Sequence, residues 1–587
     1  MFKPSVAAVL VAACCFSAVA EENIEHISIY ANRTATPERD VLASITVLER
    51  QDIVARQATD LPSLLAQLPG INLARNGGRG QLSSVFVRGG NSGHTLVLID
   101  GVRAGSATSG AASLAMIPLE LIERIEVVRG PRAALYGSDA VAGVIAITTR
   151  RSDRVEVNIN SGSYGQVGAD VSAAYSSEQL KLRATAGINR ADGINVMENA
   201  DPDRDGYRQR FAKLAADYLT AVGTLSAEVN VTSGFYQYDN QWGTEDEADT
   251  LNRSYLLRWE HQLGSWQHQA QLSRILDRDV SYGPDSRSPF QTERDEFSYQ
   301  TNTALTENLG VLAGVNWYQE QIDAVTVYAE DSRNNKAVFA GLNYEQDKLK
   351  FDAAVRRDDD SQFGGANTWQ LAAGYQFTDN LLLRLGRGSS FKAPSFNDLY
   401  YPFSENPDLR PERAVEDEIA LQFIHSNLQL GLTWFKRDVI DLLQWGDGKM
   451  ENIAAADIEG LEATAELTVQ KFRHSFSYNW LDARDKATDT RLVRRSENTL
   501  HWRSTYEAES WSAFVTADYQ SKTQQGAFAV TPVLGGFTLW GAGVQHQVSE
   551  RLSVRVKVDN LTDKEYQTIA GYYSYGTTFG LSLAYTL

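Results

Sequence analysis

The last ten residues of the chain alternate without a break. Phe579, Leu581, Leu583, Tyr585 and Leu587 fall on one face, and Thr578, Gly580, Ser582, Ala584 and Thr586 on the other. A period of two marks a β-strand with unlike faces, and an apolar face backed by small or polar residues suits a strand looking out to lipid and in to a wet lumen. The same alternation recurs at 155–160, 180–186 and 552–558. Between such runs lie Asp-, Asn- and Gly-rich segments of very unequal length, which predicts tight turns on one rim and long loops on the other. Hydrocarbon offers no partner to a backbone amide, so many strands of this kind must close into a barrel. A large soluble β-sandwich or propeller is the alternative.

Residues 41–151 follow a different rule, with apolar positions at mixed helical and strand spacing. The run 58–69 predicts a short helix with Asp60 near its start and Pro69 closing it. Residues 85–87, 95–100 and 125–128 predict buried strands joined by Gly-rich turns. This is a separate α+β domain of about 110 residues. About 430 residues remain, room for roughly twenty membrane strands of about 9–11 residues with their connections. A barrel of that size holds a plugged lumen rather than a core of its own side chains.

Composition then narrows the class. The 587 residues include Tyr 25, Phe 22 and Trp 11, yet mean hydropathy is −0.32. No stretch after the first twenty residues approaches the roughly 18 apolar residues of a membrane helix, which excludes a helical membrane protein. Lys+Arg 55 against Asp+Glu 74 gives a net charge of −19 and argues against nucleic acid as a partner. Cys14 and Cys15, the only cysteines, lie in an apolar run that follows Lys3 and ends in Ala18, Val19 and Ala20. Residues 1–20 therefore read as a secretory signal peptide, with lipoprotein cleavage before Cys14 as the alternative. Its removal would leave no thiol, excluding disulfides, zinc–thiolate sites and cysteine nucleophiles. The eight histidines are scattered from His26 to His546, and nucleophile motifs are absent. No catalytic constellation results, and an enzyme is not expected.

Residues 122–147, with Val127-Val-Arg-Gly-Pro-Arg-Ala-Ala-Leu-Tyr-Gly-Ser-Asp-Ala-Val-Ala-Gly at their centre, resemble the plug-domain hallmark of TonB-dependent outer-membrane receptors. Residues 76–103, including Val85-Phe-Val-Arg-Gly-Gly-Asn-Ser-Gly-His, are similar to the same stretch of that family's vitamin B12 (cobalamin) receptors. The likeness runs the whole chain, strongest over 76–151 and 556–587. It implies an all-β membrane barrel of 22 antiparallel transmembrane strands with an N-terminal α+β plug. The corresponding division is a signal peptide (1–20), a periplasmic tether (21–37), a plug (38–151) and a barrel (152–587). The implied role is TonB-dependent import of cobalamin or a related corrinoid across the bacterial outer membrane, by a monomer in contact with outer-membrane lipid. The alternatives are a ferric siderophore or haem receptor and, from another class, a passive porin or adhesin. In haem receptors a histidine ligand lies between Phe391-Lys-Ala-Pro-Ser-Phe and Asn406-Pro-Asp-Leu-Arg-Pro-Glu; here 400–405 contains none.

Three groups of residues carry candidate chemistry. The alternating segment Glu25, His26, Ile27, Ser28, Ile29, Tyr30, Ala31 and Asn32 matches the family's TonB box; a tethered, edge-capable strand is what strand addition to a periplasmic partner needs. Asp201, Asp203 and Asp205 before Gly206, with Tyr238, Asp239 and Asp249, offer hard oxygen donors suited to calcium. This is no EF-hand, since position 12 would be Ala212. A solvated acidic loop is the plain alternative. By the resemblance Asp203, Asp205, Tyr238, Asp239 and Asp249 match the cobalamin receptors' calcium positions, while Asp201 replaces an amide and Asn195 replaces an Asp. Leu82, Ser84, Asn91, Thr108 and Ser109 fall on plug positions that face substrate in those receptors, and Thr292 and Arg494 are candidate barrel contacts.

Overall fold

The computed structural model describes residues 30–197, 202–239, 246–283, 286–446, 448–452, 455–526 and 531–587, and the backbone of Ile27–Ser28. The signal-peptide segment, Glu25, His26, Ile29 and Asp201 lie outside the described residues.

Twenty-two antiparallel strands form one closed barrel, from Glu156–Gly162 to Thr578–Thr586. The first and last strands pair directly, with Ile159 opposite Leu583, so the sheet has no free edge. The alternation read in the sequence is the in–out alternation of the wall: Leu214, Leu257, Leu272, Phe579 and Leu581 are exposed on the outside, while Gln209, Lys213, Arg258 and Gln271 are buried on the inside. One rim has connections of two to four residues, such as 221–222 and 548–551; the other carries loops as long as 393–411. In bacterial barrels the long-loop rim is extracellular.

A five-stranded sheet fills the lumen, in the order Ser44–Glu49, Ile122–Arg129, Gly143–Thr149, Thr95–Ile99, Val102–Ala104. Its core packs Leu61, Leu64, Ile71, Ile125 and Ile145, all essentially solvent-free. The expected helix is present as Leu61–Leu65, with the Asp60 carboxylate accepting the Ser63 N–H at 2.9 Å. Strand Ser44–Glu49 and helix Arg50–Arg56 were not expected. They follow one another with no Gly or Pro between, and the Glu49 N–H donates to Asp52 Oδ2 at 3.1 Å where strand becomes helix.

The tether is a correction. Sequence alone predicts a free segment over 21–37, but residues 30–37 are docked. Ala31 is fully buried. The Tyr30 N–H donates to Glu126 Oε2 (3.2 Å), the Tyr136 hydroxyl donates to the Tyr30 carbonyl (2.8 Å), and Asn32 Nδ2 donates to Asp352 Oδ2 on the wall (3.2 Å). Ile27–Ser28 pairs with Thr36–Pro37, folding the segment back on itself.

Candidate metal centre and substrate face

At the extracellular rim, loop 195–204 joins strands Leu180–Ile194 and Asp205–Thr220, and loop 238–246 joins Gly223–Gln237 and Glu247–Leu263. The two loops bring one carboxylate oxygen each from Asp203, Asp205 and Asp239 to within 4.8 Å of one another. Asp205 and Asp239 are buried and Asp203 is exposed. Asp205 Oδ2 also accepts the Val196 N–H at 2.9 Å, which ties the start of the first loop to its end. The Tyr572 hydroxyl donates to the Asp239 carbonyl at 3.2 Å, adding the long loop before the last strand. Three carboxylates this close repel one another unless a cation or protons lie between them. An all-oxygen donor set of this kind fits calcium, which takes 6–8 oxygens.

The other predicted ligands divide. Tyr238 adjoins the cluster in sequence, its ring tilted against Tyr236 at 5.6 Å between centroids and its N–H donated to the Asp246 carbonyl at 2.7 Å. Asn195 Oδ1 instead accepts the Met197 N–H at 3.0 Å, serving its own loop. Asp249 corrects the sequence reading: its neighbours Ala248 and Thr250 turn into the lumen, so Asp249 turns outward, where Oδ2 accepts the Tyr282 hydroxyl at 3.1 Å. Which way it faces depends on the phase of the strand, and loop spacing does not reveal that phase.

Beside the carboxylate cluster rises the tip of a plug hairpin, Ile71–Arg75 with Ser83–Val87, closed by Asn76 N–H donating to the Leu82 carbonyl at 3.0 Å. Leu82 is 67% exposed at this tip and Ser84 is half-buried below it. Gly77 has φ +108°, and a Cβ there would come within 2.4 Å of Val196 Cγ1. Plug tip and acidic loop therefore touch through Val196, the residue whose N–H holds Asp205. Gln81 adds a second tie, its Nε2 donating to the Gln237 carbonyl at 2.6 Å. Ser109 is exposed, and Asn91 is half-buried with its side-chain oxygen bonded by Arg495. Arg494 sits nearby with φ +62°, its N–H donated to the Gln524 carbonyl at 2.7 Å, and partial burial lowers its guanidinium pKa.

Two of the expected contacts are covered. Thr108 is 7% exposed, its hydroxyl paired with Ser106 and its carbonyl accepting the Asn397 N–H at 3.1 Å. Thr292, opposite Ile322 on the wall, is 5% exposed. Thr108 thus joins the plug to the helical loop at 396–400 instead of facing the open cavity, and Thr292 is covered within the wall.

Sequence reasoning missed the ionic joint between plug and wall. Arg88, fully buried, meets Glu416 Oε1 at 2.9 Å, Glu418 Oε2 at 2.6 Å and Glu462 Oε1 at 2.8 Å, and Arg437 shares Glu416 from the wall. Burial by itself would lower the Arg88 pKa, but the three carboxylates outweigh desolvation and hold it well above its usual range. An arginine inside the apolar strand 85–87 and its Gly-rich exit was the only available signal. From wall strand Asn498–Glu507 round to strand Leu180–Ile194, plug and wall part to leave a cavity of about 390 Å³ lined by Arg50, Arg75, Asn158, His501 and Tyr575.

Comparison with known proteins places this architecture. Residues 37–144 match the family model of the TonB-dependent receptor plug domain, and residues 187–561 match that of the TonB-dependent receptor-like β-barrel. The chain belongs to the TonB-dependent receptor family. As such a receptor it resides in the bacterial outer membrane, crossing it with strands, and works with TonB on a small-molecule substrate. Among its relatives, the vitamin B12 transporter BtuB of Photobacterium profundum is 35% identical over 596 residues, covering 96% of each chain. Solved structures share the fold. The ferric enterobactin receptor PfeA of Pseudomonas aeruginosa (20% identity, TM-score 0.81, 92% of this chain and 98% of that one) and the siderophore receptor PirA of Acinetobacter baumannii (19%, 0.81, 92% and 98%) are two. The ferric yersiniabactin uptake receptor FyuA of Yersinia pestis (16%, 0.79, 93% and 98%) is a third.

Proposed function

We propose that this receptor imports cobalamin or a closely related corrinoid, and that calcium held by Asp203, Asp205 and Asp239 orders its extracellular loops for that substrate. The observation that carries the reading is the carboxylate cluster at the plug tip, in a chain 35% identical along 96% of its length to a vitamin B12 transporter. A calcium ion would supply charge neutralisation. The residues of the chain do the rest: Val196 closes the first loop on the cluster, Tyr572 brings a further loop against it, and Leu82, Ser84, Asn91 and Ser109 present one apolar and several hydrogen-bonding groups to a large amide-fringed ring.

A scarce substrate requires tight binding, and nanomolar affinity corresponds to about −12 kcal/mol. A plug joined to the wall by buried ion pairs does not release such a ligand inward unaided. The work comes through TonB, and residues 25–32 are the segment that would offer it an added strand. The siderophore and haem alternatives rest on likeness of fold alone, and the filled lumen argues against a passive porin.

Equilibrium titration of the purified receptor with cobalamin tests the reading. Removing calcium by chelation, or replacing Asp203→Ala together with Asp205→Ala, is expected to weaken binding at least several-fold with the barrel intact, because the cation shifts loop order and affinity together. Equal affinity in all three samples would leave the cluster a solvated acidic loop, and no cobalamin binding in any of them would remove the substrate.

A further inference from the structure

Behind the substrate face, one buried histidine is tied to the plug through one ring nitrogen and to the wall through the other. The turn 91–94 closes on itself: the His94 N–H donates to the Asn91 carbonyl at 2.8 Å, and the Asn91 N–H donates back to His94 Nδ1 at 3.2 Å. His94 Nε2 lies 2.6 Å from Glu412 Oε2, the two side chains being 1% and 2% exposed. The other oxygen of Glu412 accepts the Leu443 N–H at 2.6 Å. Leu443 begins the extracellular hairpin Leu443–Gly446 with Lys449–Asn452, and packs on Leu409 and on Leu399 of the helical loop at 396–400. A single imidazole thus stands between Asn91, one of the groups offered to substrate, and a loop of the outer rim.

These bonds fix where the ring carries its proton. A backbone N–H can only donate, so Nδ1 must turn its lone pair towards Asn91. The neutral ring therefore keeps its proton on Nε2 and donates it to Glu412, whose two oxygens both accept. The next proton can be added only at Nδ1, where it would point straight at the Asn91 N–H. The ring is not free to turn aside, because Glu412 holds Nε2 and is itself held by Leu443. Lys392, directly opposite Glu412 on strand Leu381–Lys392, and Arg437 close on the turn, where a Cβ on Gly93 would come within 2.8 Å of Lys392 Nζ and one on Gly90 within 3.3 Å of Arg437 Nη1. Both are engaged, Lys392 with Asp139 at 3.3 Å and Arg437 with Glu416 at 2.5 Å, and Arg495 donates to Asn91 Oδ1 at 2.5 Å. Glu412 and Asp139 favour a charged ring, and Lys392, Arg437 and Arg495 oppose it. Their balance sets the pH at which the proton arrives, but not the atom that receives it.

We propose that His94 is a positioning residue for substrate: its neutral ring holds the Asn91 turn in the receptive form, and a proton on Nδ1 releases that turn and lowers affinity. The receptive form is the neutral one, so affinity is present at high pH and lost as pH falls. Such a receptor loads in neutral surroundings and lets go in acid ones. The identity of the substrate rests on the function proposed above; the state of the turn does not.

Two measurements on the full-length receptor at saturating calcium, taken between about pH 8 and pH 5 where imidazoles titrate, test it. Without substrate, hydrogen-exchange protection over 89–95, corrected for the intrinsic pH dependence of exchange, is expected to fall several-fold in wild type on acidification. Cobalamin should bind wild type about tenfold more weakly at the acid end. His94→Gln keeps an amide donor for Glu412 but cannot titrate, and should bind weakly at both ends without a slope. His94→Asn, whose amide oxygen can accept the Asn91 N–H, should recover part of the affinity, again without a slope. His501→Gln, which removes a different lumen histidine, should keep the wild-type slope. Unchanged protection in wild type across the range, or an undiminished slope in folded His94→Gln, would each overturn the proposal. The exchange arm uses wild type and no ligand, so it decides the matter even if the variants do not fold. Absence of cobalamin binding in every sample would remove the substrate named above and leave the exchange result to stand for the turn.

Discussion

Asp60 shows how one side chain carries both a local and a long-range task. It caps Leu61–Leu65 through the Ser63 N–H and meets Arg75 Nη2 at 2.8 Å. Burial alone would raise its carboxyl, but Arg75 and Ser63 outweigh burial and hold it at about 2. Because the folded value lies below the unfolded one of about 3.9, the ionised form stabilises the plug by on the order of 2 kcal/mol above pH 4, and this is lost as pH falls through about 2. In Asp60→Asn, amide exchange over 61–68 should therefore quicken about tenfold or more at neutral pH, with the gap from wild type closing towards pH 2. An unchanged gap would show that the charge has no part in it. The cap was legible, because an Asp before a short apolar run has few other uses. Arg75 was not, since nothing along the chain says that a residue fifteen positions on will return to the same helix end. Asp249 teaches the same lesson in reverse, as its residue type suited a metal and its strand phase turned it away.

At the scale of elements, the segment after residue 29 matters most. Its alternation marked it as strand-forming, yet Tyr30 and Asn32 are held by Glu126, Tyr136 and Asp352, partners from 96 to 320 positions away, with Ala31 buried between them. For TonB to take the segment as an added strand, these contacts must open first. Tyr136→Phe deletes the donor to the Tyr30 carbonyl and should raise amide exchange across 30–37 several-fold without changing substrate affinity. A proline at Ile27 or Ile29 should act one step later, removing or misplacing a strand hydrogen bond, so that cobalamin binding persists while energised uptake is lost. Uptake by the proline variants at the wild-type rate would separate 25–32 from TonB.

For the whole molecule, the plug is fastened unevenly. One sector of the wall holds Arg88 among Glu416, Glu418 and Glu462, another holds Asp100 through Lys213 at 2.6 Å, and from strand Asn498–Glu507 round to strand Leu180–Ile194 the plug borders the 390 Å³ cavity. Arg88→Ala would leave three buried carboxylates without their shared cation, which costs about 3–5 kcal/mol for a buried pair broken on one side. The urea midpoint for plug release, followed by limited proteolysis, should fall markedly while the barrel stays folded; an unshifted midpoint would mean the joint does not hold the plug. Nothing in local sequence pattern announces this joint, because its members are more than 300 positions apart and each glutamate looks like any lumen residue of a wet strand. What the sequence determined by itself was periodic and local: strands of period two, unequal loops, a capped helix, glycine turns, and a motif long enough to name the family. Those follow from the geometry of a few neighbouring residues. Only the tertiary structure decided which acids share a cation, which faces of the strands meet lipid, and where the plug is held or loose, because closing a 22-stranded sheet sets the phase and register that bring distant side chains together.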